Sequence, residues 1–312
     1  MNKSVFNIFK LITMPVLLFI VFSIISPGFG VHSLPIVISQ SMIPMMMALG
    51  MYVVMDAGLM DFSIGARAVF AAIAGGMLSQ YIGVAGLILG CFLGAMFVST
   101  LMAALYRWLK IPCMVISIGI LMVFEVAGSK LVGSSGYLRI SAAQSSIASY
   151  PFNVIITLAV GVFAYILYYR TRIGNHITAV GNDEKMCKNL GIDADKTKFY
   201  AIVLTGVFCT FVALLYICYS GSITAGIEMT SMAMIFEPIM CVILGRHLRK
   251  YVECMPLLIL VGAFSITIIF NGFIALGFSD AVQNIVLGVF LIVILGSDVI
   301  TDKFSILKLV KG

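Results

Sequence analysis

Charge is what this sequence has least of. Asp, Glu, Lys and Arg together make up 10% of its 312 residues, where a water-soluble domain carries about a quarter. A chain so poor in charge cannot cover a surface of that size with groups that water solvates well, which excludes an ordinary soluble enzyme or binding domain. Cysteine is present but never as C-x-x-C: Cys91, Cys113, Cys187, Cys209, Cys218, Cys241 and Cys254 are scattered, mostly inside apolar runs. They read as packing residues rather than as disulfides or metal ligands. His32, His176 and His247 are equally dispersed and predict no metal site. No G-x-x-x-x-G-K-[ST], H-E-x-x-H or G-x-S-x-G occurs, so the sequence carries no nucleotide-binding or hydrolytic signature of its own. It also shows no linker, low-complexity tract or soluble module, and residues 1–312 read as a single transmembrane domain.

Apolar residues are what remain: 62% of the chain, with a mean hydropathy of +1.14. Residues 11–31, 33–55, 68–106, 140–169, 199–227 and 254–279 contain no Asp, Glu, Lys or Arg. About 20 apolar residues cross a bilayer core as a helix, so each run holds one crossing and the longest holds two. Runs near 112–131, 229–245 and 280–297 bring the expectation to about ten transmembrane helices. Closed barrels are the other spanning structure, and their strands need an alternation that is absent here. The fold class is therefore all-α, a polytopic membrane helix bundle. Lys3 and Lys10 before the first run resemble a signal peptide. No small-x-small cleavage site follows and Pro27-Gly28 ends the run, so a retained first helix is the expectation.

The cations orient the bundle. With ten crossings and a cytoplasmic N-terminus, 16 of the 19 Lys and Arg residues fall in loops on the inner side, as the positive-inside rule requires. Both termini are then cytoplasmic. The same distribution accounts for the formal charge of +6 without a basic patch, so no nucleic-acid partner is expected. Trp108, between Arg107 and Lys110, suits the headgroup level of the lipid bilayer.

Polar groups at membrane depth are costly and are the functional candidates. In the stretch 56–67, Asp56, Asp61, Ser63, Gly65 and Arg67 interrupt what would otherwise be continuous helix. Two readings stand side by side: a broken helix exposing backbone to a transport cavity, or a turn in which Asp61 caps the next helix, with Ser63 and Gly65 nearby. Glu125 lies inside a crossing, and its expected partner is Lys130 or Arg67. Glu237-Pro238 marks a bend or a cavity lining. Asn271 to Asn284, including Gln283, joins the last two crossings. Gly86, Gly90 and Gly94 form a small-residue ladder for close helix packing, within this chain by preference. The loop 170–198, with Asp183, Glu184, Lys185 and Lys188, is long enough for one or two surface helices and is where a cytoplasmic partner would dock.

These residues resemble the permease subunits of ribose-type ABC sugar importers. Asp61-Phe62-Ser63-Ile64-Gly65 is similar to that family's D-[LF]-S-[VI]-G element, and Ala48-Leu49-Gly50-Met51 to its A-x-G-M. Thr171 to Gly174, Ala179 to Asn182 and Leu190-Gly191-Ile192 follow its T-x-x-G…A-x-G-x-N…x-G-I stretch. Asn271-Gly272, Gly277, Ser279 and Gln283 follow N-G-x-x-x-x-G-x-S-x-x-x-Q. The matches cover residues from about 45 to 297.

The resemblance implies a division of labour. A separate ATPase subunit binds the ATP, and this chain needs no cofactor. A coupling segment at about 181–192 (Gly181, Asn182, Asp183, Glu184, Lys185, Lys188, Gly191) docks on that ATPase. A second permease subunit, in a homo- or heterodimer, completes a path lined by Asp61, Ser63, Gly65, Glu125, Asn271 and Gln283. An extracytoplasmic solute-binding protein delivers a pentose, a hexose, a signalling furanone or another small polar solute across a bacterial cytoplasmic membrane. The chain departs from the pattern at Leu244 to Lys250, where the family usually has a glycine-rich turn. It departs again at Glu125, where arginine is common, and within 227–238, which contains extra residues. These departures raise a divergent member of a heterodimeric pair. A proton- or sodium-coupled secondary transporter is the alternative reading, on Glu125, Glu237 and the break near Asp61. A membrane enzyme has little support from scattered His and Cys.

Overall fold

Helices that are apolar on most sides have to bury their backbone polar groups within themselves, and the chain folds accordingly. The computed structural model describes residues 3–279 except Pro27, Ser134, Ser135 and Ile227, together with isolated positions between 282 and 292. In chain order the helices are α1 (Lys3–Ile25), α2 (Leu34–Asp56), α3 (Ile64–Leu109), α4 (Cys113–Val132), α5 (Ala142–Ser145), α6 (Phe152–Arg170), α7 (Arg172–Asn182), α8 (Glu184–Asn189), α9 (Ala194–Ser220), α10 (Thr230–Ala233), α11 (Phe236–Leu248) and α12 (Met255–Ala275). Seven helices among the described residues are long and apolar enough to cross a membrane, and Lys10–Ile25 is a shorter apolar one. The run 280–297 falls largely outside the described residues. Among the described residues the departure from an all-helical bundle is a short antiparallel ribbon, β1 (Tyr137–Arg139) with β2 (Ser222–Thr224), in which Leu138 faces Ile223. It ties the connection after α4 to the end of α9, giving two exposed loops a few backbone partners.

Two compact units divide the chain, 42–238 and the pair of segments 1–41 and 239–312, with boundaries inside α2 and α11. In the larger unit α3 has 46 residues, which as one straight rod would be about 69 Å long, more than twice a hydrocarbon core of ~30 Å. Gly83, at φ 67°, ψ −139°, breaks it into two arms. The arms lie against each other: a β-carbon at Gly90 would stand 2.6 Å from the Gly75 Cα and 2.7 Å from the Ala74 carbonyl oxygen, and one at Gly94 would stand 3.0 Å from the Ala71 Cα. The glycine ladder therefore packs within the chain, backbone against backbone. The long apolar helix α9 packs on α3 in the same manner, since a β-carbon at Gly206 would meet the Ser99 hydroxyl at 2.6 Å. Phe124 of α4 packs edge-on against Phe70 of α3 at 4.9 Å between ring centroids.

The smaller unit rests on aromatic contacts between α1 and α12. Phe22 lies 5.6 Å from Phe273 and 6.2 Å from Phe29, edge to face. Phe22, Phe29, Val37 and Ile268 form its buried core. The Ser26 hydroxyl donates to the Ala275 carbonyl at 3.1 Å, closing the end of the helix pair.

Candidate functional site

The break between α2 and α3 is a closed electrostatic knot. Asp61, Ser63 and Arg67 are fully buried. One Asp61 carboxylate oxygen accepts from the Ser63 backbone N–H at 2.8 Å and from the Ser63 hydroxyl at 2.7 Å. The other accepts from Arg67 in a salt bridge. Arg67 also donates to the Ser99 hydroxyl at 3.0 Å, and the Phe62 N–H finds the Ser117 hydroxyl at 3.1 Å. An isolated carboxylate or guanidinium at this depth would cost several kcal/mol, about what pairing and hydrogen bonding recover. The knot holds a non-helical connection inside the protein, with Asp61 positioning the first turn of α3. Gly65 sits in that turn because any side chain there would run into the Ser231 carbonyl oxygen. Within this chain Asp61 and Ser63 spend their polar atoms on one another and on Arg67.

The loop 170–198 folds into three helix starts, each with its own cap. Thr171 accepts from the Gly174 N–H at 3.2 Å, Asp183 from Met186 at 2.9 Å and Asp193 from Lys196 at 3.0 Å. Ile177 and Val180 bury one face of α7, while Val180, Cys187 and Ala194 close a small apolar cluster. Gly191 takes φ +81° to turn the chain out of α8, a conformation that glycine adopts without penalty. Glu184 accepts from Lys188 at 2.7 Å and from Lys198 at 2.6 Å, which fastens α8 to α9. Those two hydrogen-bonded ammonium groups bring its carboxyl down to about 2. Asp183, spent on its cap and its own N–H partner, and Glu184, tied to two lysines, present a partly neutralised acidic edge; Lys185 stands exposed beside them.

This segment meets the break directly. The Thr178 hydroxyl donates to Asp56 at 2.6 Å. A β-carbon at Gly181 would overlap the Asp56 carbonyl oxygen and stand 3.2 Å from the Gly58 nitrogen. Asn182, the last residue of α7, is exposed next to it. A cleft of about 670 Å³ opens between the 57–63 connection, Arg107 and Lys110 at the end of α3, and Glu184, Lys188 and Lys198. Sequence reasoning placed both segments but not their contact: Asp56 and Thr178 lie 122 positions apart and neither carries a pairing signal.

Glu125 requires a correction. Its partners are neither Lys130 nor Arg67, because Arg67 belongs to Asp61. Instead its carboxylate accepts from the backbone N–H of Met229 at 2.8 Å, from that of Ser231 at 2.7 Å and from the Ser231 hydroxyl. Asn271, inside α12, donates to Gln40 at 2.7 Å and to the Thr267 carbonyl at 3.0 Å, so it links two helices of the smaller unit. Gln283 lies outside the described residues. Among the described residues no three His, Cys, Asp or Glu side chains gather as a metal site would need.

Residues 33–295 match the family described as branched-chain amino acid transport system, permease component. The chain belongs to that family. It is a family of multi-pass membrane permease components rather than of enzymes, and no cofactor is expected of its members. The permease is 24% identical over 216 residues to the autoinducer 2 import system permease protein LsrC of Yersinia enterocolitica, an alignment covering 66% of this chain and 60% of that protein. It is 26% identical over 259 residues to LsrC of Photorhabdus laumondii, covering 80% of this chain and 75% of that one. The permease thus spans about 60% of the length of the Yersinia relative. In three dimensions it resembles a solved chain of a transporter described as metal-chelate type ABC, in an inward-facing conformation. That likeness has a TM-score of 0.51 at 18% identity, over 84% of this chain and 89% of the other, and it bears on the fold alone.

Proposed function

We propose that this permease is the membrane-spanning subunit of an ABC importer for a small polar, hydroxyl-rich solute, a sugar or a molecule like the autoinducer 2 of its relatives' names. In this reading residues 1–312 act as one permease domain of about ten crossings: α3 counts twice for its two arms, α1 once, and 280–297 once. Both termini face the cytoplasm of a bacterial cell, since that arrangement keeps the cations inside. The partners are a separate ATPase subunit that binds the ATP, a second permease subunit and an extracytoplasmic solute-binding protein.

The observation that carries the reading is the seat of α7 on the break between α2 and α3. Gly181, Asn182, Asp183, Glu184, Lys185, Lys188 and Gly191 form a capped, charged pair of short helices at the end of the unit where the cations collect, and Gly181 touches the Asp56 carbonyl directly. Charged edges of this kind favour a reversible contact with a partner, and the adjoining cleft leaves room for one. Displacement of this pair by an ATPase would move the 56–63 connection. Asp61, Ser63 and Gly65 then act as the strut behind the path, and Glu125, Asn271 and Gln283 are the further residues assigned to it in this reading.

Accessibility labelling of a cysteine at Lys185 in intact cells and in inverted vesicles tests the reading. Labelling from the cytoplasmic side, together with co-purification of an ATPase that is lost when Asp183 and Glu184 are replaced by Lys, is the expected result. Labelling of that position from outside the cell would remove the coupling role. Uptake that needs ATP and persists after proton and sodium gradients are collapsed separates this function from a secondary transporter.

A further inference from the structure

After β2 the described residues Ala225, Gly226, Glu228 and Met229 lead to α10 without forming a helix. Two glycines of α3 serve as depth markers. A β-carbon at Gly76 would run into Leu138, the partner of Ile223 in the ribbon, whereas one at Gly65 would run into the Ser231 carbonyl. Positions 65 and 76 are separated by roughly 16 Å along a helix at about 1.5 Å per residue. Ser231 therefore lies about half a hydrocarbon thickness below the ribbon, and Glu228 and Met229 just before it both adopt left-handed backbone, φ 62° and 64°. Irregular backbone at such a depth persists only where it is buried in protein or lines water.

Glu125 does the burying. Its two carboxylate oxygens take the N–H groups of Met229 and Ser231 and the Ser231 hydroxyl, and Glu125 as a residue is 4% exposed. Glu125 and the stretch Met229–Ser231 are thus halves of one contact. The loop brings unpaired N–H donors into the bundle and the glutamate supplies the acceptor. Glu228 and Thr230 are nevertheless exposed, and the Thr230 hydroxyl and the Glu125 carboxylate both border Gly226. A carboxylate and a hydroxyl at mid-depth would be costly against lipid.

We propose that the stretch Glu228–Ser231 lines the translocation path, with Glu228 and Thr230 as solute-contacting residues for a hydroxyl-bearing solute and Glu125 as the residue that positions them. The carboxylate accepts from solute hydroxyls, and the threonine hydroxyl donates or accepts. This deepens the permease reading and rests on it for the word path. The exposure of the loop to water is independent of any ATPase.

The test is thiol labelling of the full-length chain in membranes, with cysteine at 228, at 230 or at 126, in a background carrying Cys254→Ser because Cys254 is partly exposed. Val126 neighbours Glu125 on the outer face of α4 and is 55% exposed, as a lipid-facing residue would be. A charged methanethiosulfonate reagent should modify positions 228 and 230 at least about 10-fold faster than 126, because a charged reagent is excluded from lipid. Equal rates at the three positions would overturn the proposal. The clamp is read by amide hydrogen exchange on Glu125→Gln. The amide carbonyl can keep Ser231, but its NH₂ faces the Met229 N–H, so Met229 should exchange about 10-fold faster while Ser231 stays protected. Unchanged protection at Met229 would overturn the positioning role. An ATPase that fails to co-purify would sink the permease reading and leave both of these results standing.

Discussion

Gly181 of α7 and the carbonyl oxygen of Asp56 are in contact so close that no side chain fits between them. One backbone thus rests on another at the join between the α7–α8 pair and the membrane helices. Van der Waals contact of this kind passes a displacement on without the slack of an intervening side chain.

Gly181→Ala should therefore uncouple more than it unfolds. Overpacking by one methyl costs about 1–3 kcal/mol, which the seat can relieve by lifting α7 away from residue 56. The expected outcome is unchanged membrane insertion, retained ATPase in co-purification and a large loss of solute uptake. Uptake equal to wild type would show that the seat transmits nothing.

The hairpin of α3 should tolerate no bulk at its ladder. Gly90→Val places a branched side chain where even a β-carbon would stand 2.6 Å from the Gly75 Cα. Thermal unfolding in detergent should fall by the equivalent of at least about 1–3 kcal/mol. Gly83→Ala is the comparison: no atom lies within 4 Å of a β-carbon there, so its cost is set by the positive φ alone.

Breaking the buried pair on one side should be worse than removing it. Asp61→Leu leaves the Arg67 guanidinium without its carboxylate and should cost about 3–5 kcal/mol, whereas Asp61→Leu with Arg67→Met should cost less than either single change. Midpoints of thermal unfolding for the four proteins check this. A double variant less stable than both singles would mean that the pair also orients the break in a way packing cannot replace.

The Glu184 clasp sets a pH expectation. Its carboxyl is lowered from 4.5 to about 2 by Lys188 and Lys198. A depressed acid contributes stability above its unfolded value and loses it as pH falls through the folded one. The α8–α9 contact should thus be indifferent to pH from neutrality down to about 5, weaken below the ordinary glutamate range near 4.5, and be lost near 2. Hydrogen exchange of the 184–189 amides across that range checks it, with Glu184→Gln showing no such dependence.

How much of this was visible in the sequence depends on the range of the interaction. Membrane embedding, the helical class and the paired arms within 68–106 follow from charge-free runs and a glycine ladder, which are local signals. One or two surface helices within 170–198 were expected from loop length, whereas the caps at Thr171, Asp183 and Asp193 emerge only from the structure. Two competing ideas stood for the Asp61 segment. The hydrogen bonds match neither idea as stated: Asp61 accepts from Ser63, which is itself the residue at the cap of α3, and from Arg67, in a buried turn. Glu125 was placed at membrane depth but given the wrong partners. A carboxylate next to cations in sequence suggests ion pairing, and nothing local reveals that backbone N–H groups from residues 229–231 fold back to it. The contact of Thr178 with Asp56 was invisible for the same reason.

The ladder that binds the two arms of α3 has a mechanical corollary. Zipped along their length and joined at Gly83, the arms cannot slide past each other, so the hairpin behaves as a single stiff lever. Its inner end is pinned by the Asp61–Arg67 knot, and Gly76 on the same arm abuts Leu138 of the ribbon. A displacement at the Asp61 end of the hairpin would consequently be felt where Gly76 abuts Leu138 of the ribbon, roughly 16 Å along the same arm.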